Sequence, residues 1–310
     1  MSIYINHKRE LSVVATYLLL LCVLAVLAPS FFSNELFGTW IRAAPVVVAA
    51  IGMTLLIVSR QIDISIGSQF CVCSVLAGLA AKAGWSTPVI ISVTLIAGAL
   101  MGAVNGALVT ILRVPSIVAT LTTMVVFREC IRWAREGEAV NGLPASFQWF
   151  GFSQSAGEYI LLIVAIVTLV LAGLFCRWVT AGRTIYAVGS DASAARLAGI
   201  SPDRVAFNVF VLMGVMVGLA ALLNAVRFPQ VDANAGFGLE LQVIAAVVVG
   251  GCAITGGRGT MGGTLAGVAL LTAIGPALVF LHLQPQWEKA IQGLIILIAV
   301  ASDGFSRRTA

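Results

Sequence analysis

The 310-residue chain is 60% hydrophobic and 10% charged, with a mean hydropathy of +1.03. Soluble domains carry roughly 25% charged residues, so this composition cannot clothe a water-soluble surface. The net charge of +5 implies no nucleic-acid partner, because a positive bias on one side of a membrane accounts for it.

Charge-free runs recur from end to end. A span needs about 20 mostly apolar residues, and in chain order the runs predict ten spans. They lie near 11–28, 43–59, 66–81, 88–112, 115–133, 159–176, 205–226, 240–256, 261–282 and 287–303. The expected fold class is an all-α polytopic membrane protein with a single transmembrane domain over 1–310. The first run is too long for the apolar part of a signal peptide and is expected to be a retained span. The third is rich in small residues, which fits a broken or re-entrant helix. The fifth is interrupted by Arg128.

Basic residues set the expected orientation. With the N-terminus inside, Lys8, Arg9, Arg60, Arg113, Arg177, Arg183, Arg196, Arg204, Arg258, Arg307 and Arg308 share one side. Arg42, Lys82, Arg128, Arg132, Arg135, Arg227 and Lys289 fall on the other. Eleven against seven places both termini in the cytoplasm.

Nucleotide, redox and catalytic readings fail one by one. Gly257, Gly259 and Gly262 form a G-x-G-x-x-G, but it follows an apolar span rather than a strand, and no acidic residue stands twenty positions on. The P-loop needs Gly-Lys, and Lys8, Lys82 and Lys289 follow His7, Ala81 and Glu288. "GFSQS" at Gly151–Ser155 is not a nucleophile elbow, and His7 and His282 are the only imidazoles. The six cysteines make no metal or redox spacing, Cys71 and Cys73 being C-x-C, so they read as small buried apolar residues. No catalytic residue, cofactor or metal site is expected.

Three polar stretches remain. In "SRQIDISIGS" (Ser59–Ser68), Asp63 either caps the following helix or, with Ser65, belongs to a helix break lining a transport path. In "GRTIYAVGSDASAARLAGISPDR" (Gly182–Arg204), Ser190 is placed to cap a short helix over 191–198, with Gly199 stopping it. That helix would lie on the membrane surface or fit a groove on a partner. The third stretch, Gly250–Gly263, has glycines that allow close helix approach or non-helical backbone beside a cavity.

These stretches, together with "NGALVTILRVPSIVATLTTM" (Asn105–Met124), closely resemble the permease subunits of bacterial ABC importers for ribose, xylose, rhamnose and autoinducer 2. The likeness runs along nearly the whole chain. It implies a type II ABC importer-like permease in the bacterial inner membrane, surrounded by lipid. Its implied partners are a cytoplasmic ABC ATPase subunit, a periplasmic or extracellular sugar-binding protein, and a second permease, either a copy or a homologue. The implied ATPase-coupling segment falls on Gly182, Arg183, Tyr186, Ala187, Gly189, Asp191, Ala194, Ala195, Arg196, Leu197, Gly199 and Ile200. The path-lining or structural set is Asp63, Ser65, Asn105, Gly250, Gly251, Gly256, Gly257 and Gly259. Arg42, Arg132 and Arg135 stand in expected external loops as candidates for docking the binding protein. Two positions depart from the pattern: Arg60-Gln61 stands where the family commonly has Gly-Gly, and Ser190-Asp191 where it has Gly-Asn. The first departure inclines the reading towards the autoinducer 2 and rhamnose branches. The mechanism implied is alternating access driven by the partner's ATP hydrolysis. The alternative is an ion-coupled secondary transporter of a small polar solute, which would need intramembrane ionisable residues.

Overall fold

A computed structural model describes residues 7–295 and 297, with side chains from Glu10 onward. Twelve α-helices are used here: α1 (His7–Leu27), α2 (Ser30–Asn34), α3 (Leu36–Val58), α4 (Ile66–Lys82), α5 (Thr87–Thr110), α6 (Ser116–Arg135), α7 (Gln154–Trp178), α8 (Thr180–Ser190), α9 (Ala192–Leu197), α10 (Pro202–Ala225), α11 (Leu239–Val249) and α12 (Met261–Phe280). Six of these, α1, α3, α5, α7, α10 and α12, are long and apolar enough to cross a membrane. The ends of the long helices carry recognisable signals. Ser153, Ser201 and Thr260 accept N–H groups in the first turns of α7, α10 and α12, and prolines occupy the first turns of α5 and α10.

Most predicted spans have a helix, with three differences. α3 begins at Leu36, upstream of the expected 43, so Arg42 lies inside a helix rather than in a loop. The expected 240–256 span is half a helix: α11 stops at Val249 and residues 250–260 run without helix before α12 starts at Met261. Gly250 and Gly251 end it because backbone there turns away, with Gly251 at φ 96°. The expected 287–303 span is helical over 287–295, and its remainder lies outside the described residues.

α3 is the central pillar and is buried along nearly its whole length. α5 and α10 form the closest pair in the bundle. A Cβ at Gly98 or Gly102 would run into the carbonyls of Gly214 or Phe210, and one at Gly214 into the carbonyl of Gly98. Small residues four apart thus bring the backbones together in lipid, where dispersion contacts replace a hydrophobic drive. Away from this seam, Ile96, Leu100 and Val104 of α5, Val118 and Val125 of α6, and Ile163, Val167 and Val170 of α7 are exposed. That apolar exterior suits hydrocarbon.

The helix ends define two faces. At one, α8 meets the end of α3 and the 250–260 loop, since Gly189 packs on the Val58 carbonyl and Gly257 on Ser190, while Gly257 N–H donates to the Val58 carbonyl (2.8 Å); α9 follows α8 there. At the other, a two-stranded antiparallel ribbon joins β1 (Val140–Asn141) to β2 (Gln230–Val231), pairing Val140 with Val231. These two strands are the only ones among the described residues. Helix therefore precedes and follows the glycine stretch, and its G-x-G-x-x-G is not a dinucleotide turn.

Candidate functional site

Between α3 and α4 the chain breaks for seven residues, 59–65. The break is held by a buried polar network. Asp63 is fully buried, and its carboxylate accepts from Ser65 N–H (2.8 Å), Ser65 Oγ (2.6 Å), Gln69 Nε2 (2.9 Å) and Asn105 Nδ2 (3.1 Å). Asn105 also donates to Ser65 Oγ (2.8 Å) and accepts from Thr123 Oγ1 (2.7 Å). Ile62 and Ile64 N–H groups find Ser116 Oγ (3.4 Å) and Thr120 Oγ1 (3.1 Å) on α6. The free backbone groups of a broken helix must be satisfied inside the protein; here Ser116 and Thr120 of α6 and the Asp63 carboxylate accept the N–H groups, while Gln69 of α4 and Asn105 of α5 serve the carboxylate. Asp63 and Ser65 therefore meet Asn105, as one cluster. Asp63 is more than a cap: Ser65 is the residue at the α4 N-terminus, and its own side chain makes no cap bond.

Arg60 joins this break to α8. Its Nε donates to the Gly189 carbonyl and its Nη2 to the Ser190 carbonyl, both at 2.6 Å. A cation on the last carbonyls of a helix is also favourable to the helix dipole. Arg60 has φ 65°, the left-handed backbone in which glycine is at ease. An arginine there costs about 1 kcal/mol, offset by two charge-assisted bonds. The position of the family's glycine thus has a backbone reason.

Glycines make the contact possible. A Cβ on Gly189 would collide with the Val58 carbonyl, and Gly257, at φ 74°, sits against the Ser190 backbone. Tyr186 OH donates to the Gly259 carbonyl (2.9 Å), and Gly182 packs on the end of α7. Gly182, Gly189 and Ala195 face inward, whereas Arg183, Ala187, Asp191, Ala194, Arg196, Leu197 and Gly199 are exposed. Leu197 stands out at 92% exposure. The methyl of Ala195 is covered by the chain itself, so the outward apolar group is Leu197.

The cap of α9 differs from expectation. Ser190 closes α8, and Asp191 is the N-cap, accepting from Ser193 N–H (2.8 Å) and Ala194 N–H (3.0 Å). Those two donors hold its carboxyl below the ordinary carboxylate value. Gly199 ends the helix at φ 78°, and Ile200 N–H returns to the Ala195 carbonyl.

The three arginines at the opposite face stand in helices rather than in the expected loops, Arg42 in α3 and Arg132 and Arg135 in the last turn of α6, and they are not equivalent. Arg42 is ion-paired with Glu35 and donates to Thr39, and Arg132 pairs with Glu129 (3.0 Å). Arg135 has a buried Nε with no partner. Sequence reasoning missed Gln69, Ser116, Thr120 and Thr123, and treated Arg60 only as a departure. The signal was polar side chains within apolar runs, which lipid alone would not tolerate.

The pattern described as "Branched-chain amino acid transport system / permease component" matches residues 35–300. The autoinducer 2 import system permease protein LsrC of Enterobacter sp. (strain 638) is 35% identical over 97% of this chain and 88% of its own length. That of Photorhabdus luminescens is 32% identical over 97% and 91%, and that of Yersinia pseudotuberculosis serotype O:1b is 34% identical over 97% and 86%. No solved structure matches. A broken-helix bundle with an apolar exterior, matched end to end in this way, belongs to the branched-chain-type family of ABC importer permeases, as a multi-pass transport subunit of the bacterial inner membrane.

Proposed function

We propose that the chain forms the translocation path of an ATP-driven, binding-protein-dependent importer for autoinducer 2 or a chemically close sugar-like molecule. The α8–α9 face lies in the cytoplasm and receives a separate ATPase, and the ribbon face receives the binding protein. Two permeases enclose the path. The observation that carries this reading is the Arg60 contact. It ties a helix pair with an exposed leucine to a polar helix break, and a movement imposed on α8 and α9 reaches the break through the two bonds of the Arg60 guanidinium. A shift between two discrete arrangements is what alternating access requires. Rhamnose, ribose and xylose are the neighbouring cargoes, and the named relatives favour autoinducer 2. Arg42, Arg132 and Arg135 stand at that face as candidates to pair with carboxylates of the binding protein.

The ion-coupled alternative would use Asp63, the one fully buried carboxylate among the described residues. Its oxygens are already served by four donors of this chain, which argues against an ion in that place. The test is reconstitution with a cognate ATPase and binding protein from the same organism. Uptake of autoinducer 2 that depends on ATP and the binding protein is expected. Uptake driven by an ion gradient without the ATPase would overturn the proposal.

A further inference from the structure

At the ribbon face a cavity of about 480 Å³ opens between α4 and the segment that follows α10. Its lining includes Ser74, Asn224, Phe228, Gln230, Asp232 and Gly236. Ser74 is 1% exposed, and its hydroxyl has no hydrogen-bond partner in the protein. A buried hydroxyl without a partner costs stability, and a ligand that completes it recovers that cost. Nothing in the bundle needs Ser74 to be polar: Gly78, one turn on, packs against Val231, Leu143 and Val140.

We propose that this cavity is the entry subsite for a neutral, hydroxyl-rich ligand of sugar size, with Ser74, Asn224, Gln230 and Asp232 as its hydrogen-bonding groups. The inference rests on the importer reading above and names residues for it. Each ligand hydroxyl both donates and accepts, so it needs a mixed wall, and a hydroxyl, two amides and a carboxylate supply one. The Asp232 carboxylate is oriented in advance, since Oδ1 accepts from Asn234 N–H at 2.7 Å. Phe228 is 44% exposed, and the Arg227 guanidinium lies 5.2 Å from its ring centre on one face. The exposed part of the ring, which lines the cavity, offers an apolar surface to the C–H side of a sugar. Charge selects against other solutes: Asp232 repels an anion, and Arg227 beside the ring repels a cation. The volume falls within the range of small-molecule sites, about 300–1,000 Å³.

The Ala235→Cys variant, at a wall position given no bond to the ligand, with Cys22→Ala and Cys130→Ala to silence the exposed native thiols, reports occupancy in the assembled importer in proteoliposomes. The probe is a membrane-impermeant methanethiosulfonate reagent, with autoinducer 2, L-rhamnose or D-ribose as protectant. At ten times the half-protecting concentration, labelling should slow about tenfold, as the free fraction falls. Adding Ser74→Ala should raise the half-protecting concentration about fivefold, the loss of one hydrogen bond. If no sugar protects, or Ser74→Ala leaves the half-protecting concentration unchanged, the subsite is not there. Equal protection by tetramethylammonium would make it a cation site and overturn the polyol assignment. If the wild-type importer moves none of the three sugars, it is the importer reading that fails.

Discussion

The two faces of this permease are built on opposite principles. At the α8–α9 face, contacts end on backbone: the Val58 carbonyl accepts from the Gly257 N–H, the Gly189 and Ser190 carbonyls from Arg60, and the Gly259 carbonyl from Tyr186. At the ribbon face, polar side chains are left over, including Ser74 Oγ, Arg135 Nε and Arg227 Nε. Backbone contacts admit one arrangement and transmit displacement, whereas unspent side-chain groups await something from outside. A transport subunit needs both, one where force arrives and one where cargo arrives.

The comparison can be broken most sharply at Gly189. Gly189→Val would drive a side chain into the Val58 carbonyl. Overpacking of this kind costs about 1–3 kcal/mol or more, so the purified protein should melt markedly earlier. Gly173→Ala, at a glycine with open space around it, should leave the melting temperature unchanged. Equal behaviour of the two variants would show that the close approach at Gly189 is unimportant.

The polar break comes next. Asp63→Ala strands donors on Ser65, Gln69 and Asn105, a loss of about 1–3 kcal/mol. Asn105→Ala removes one donor and the acceptor of Thr123, and should cost less. Denaturation midpoints in detergent would check the order, and a reversed order would place Asn105, not Asp63, at the network's centre.

Arg60→Ala should unfasten α8 from the polar break while leaving the fold. ATP hydrolysis by the assembled complex is expected to persist with several-fold less import per ATP, and hydrogen exchange in α8 and α9 should quicken. Arg60→Lys, which keeps the charge but not the fork, should recover part of the coupling. Import per ATP equal to wild type in the alanine variant would remove Arg60 from the mechanism.

The smallest effect is expected at Asp191. Its carboxyl is held below its ordinary value of 3.8 by Ser193 and Ala194 N–H. The sign follows: the cap is fully present above pH 3.8 and is lost as pH falls through the lower folded value. Amide protection of α9 should therefore be flat at neutral and mildly acid pH and decline only below that point. A decline near neutrality would assign α9 stability to another group.

Much of the molecule was legible from composition and from polar stretches within apolar runs. Lipid demands about 20 apolar residues per crossing, and that demand is written residue by residue, so α1, α5, α7 and α12 lie close to where hydropathy places them. Asp63, Asn105 and the glycines of 250–259 stood out because charge, amide and glycine are costly or conspicuous in such surroundings. Hydropathy could not see that α11 stops halfway, since residues 250–256 are as apolar or small as a helix interior. The stop comes at Gly250 and Gly251, and the non-helical segment beyond it is held by the Gly257 N–H on the Val58 carbonyl. In the same way, the partners of Asp63 come from the break itself and from two helices, α4 and α5, and Arg60 reaches 129 and 130 positions along the chain. Ser74 was invisible as a site because one serine in an apolar helix ordinarily bonds its own backbone. Local chemistry sets which segments enter the membrane; which polar groups meet, and which are left without a partner, is decided only when the helices pack.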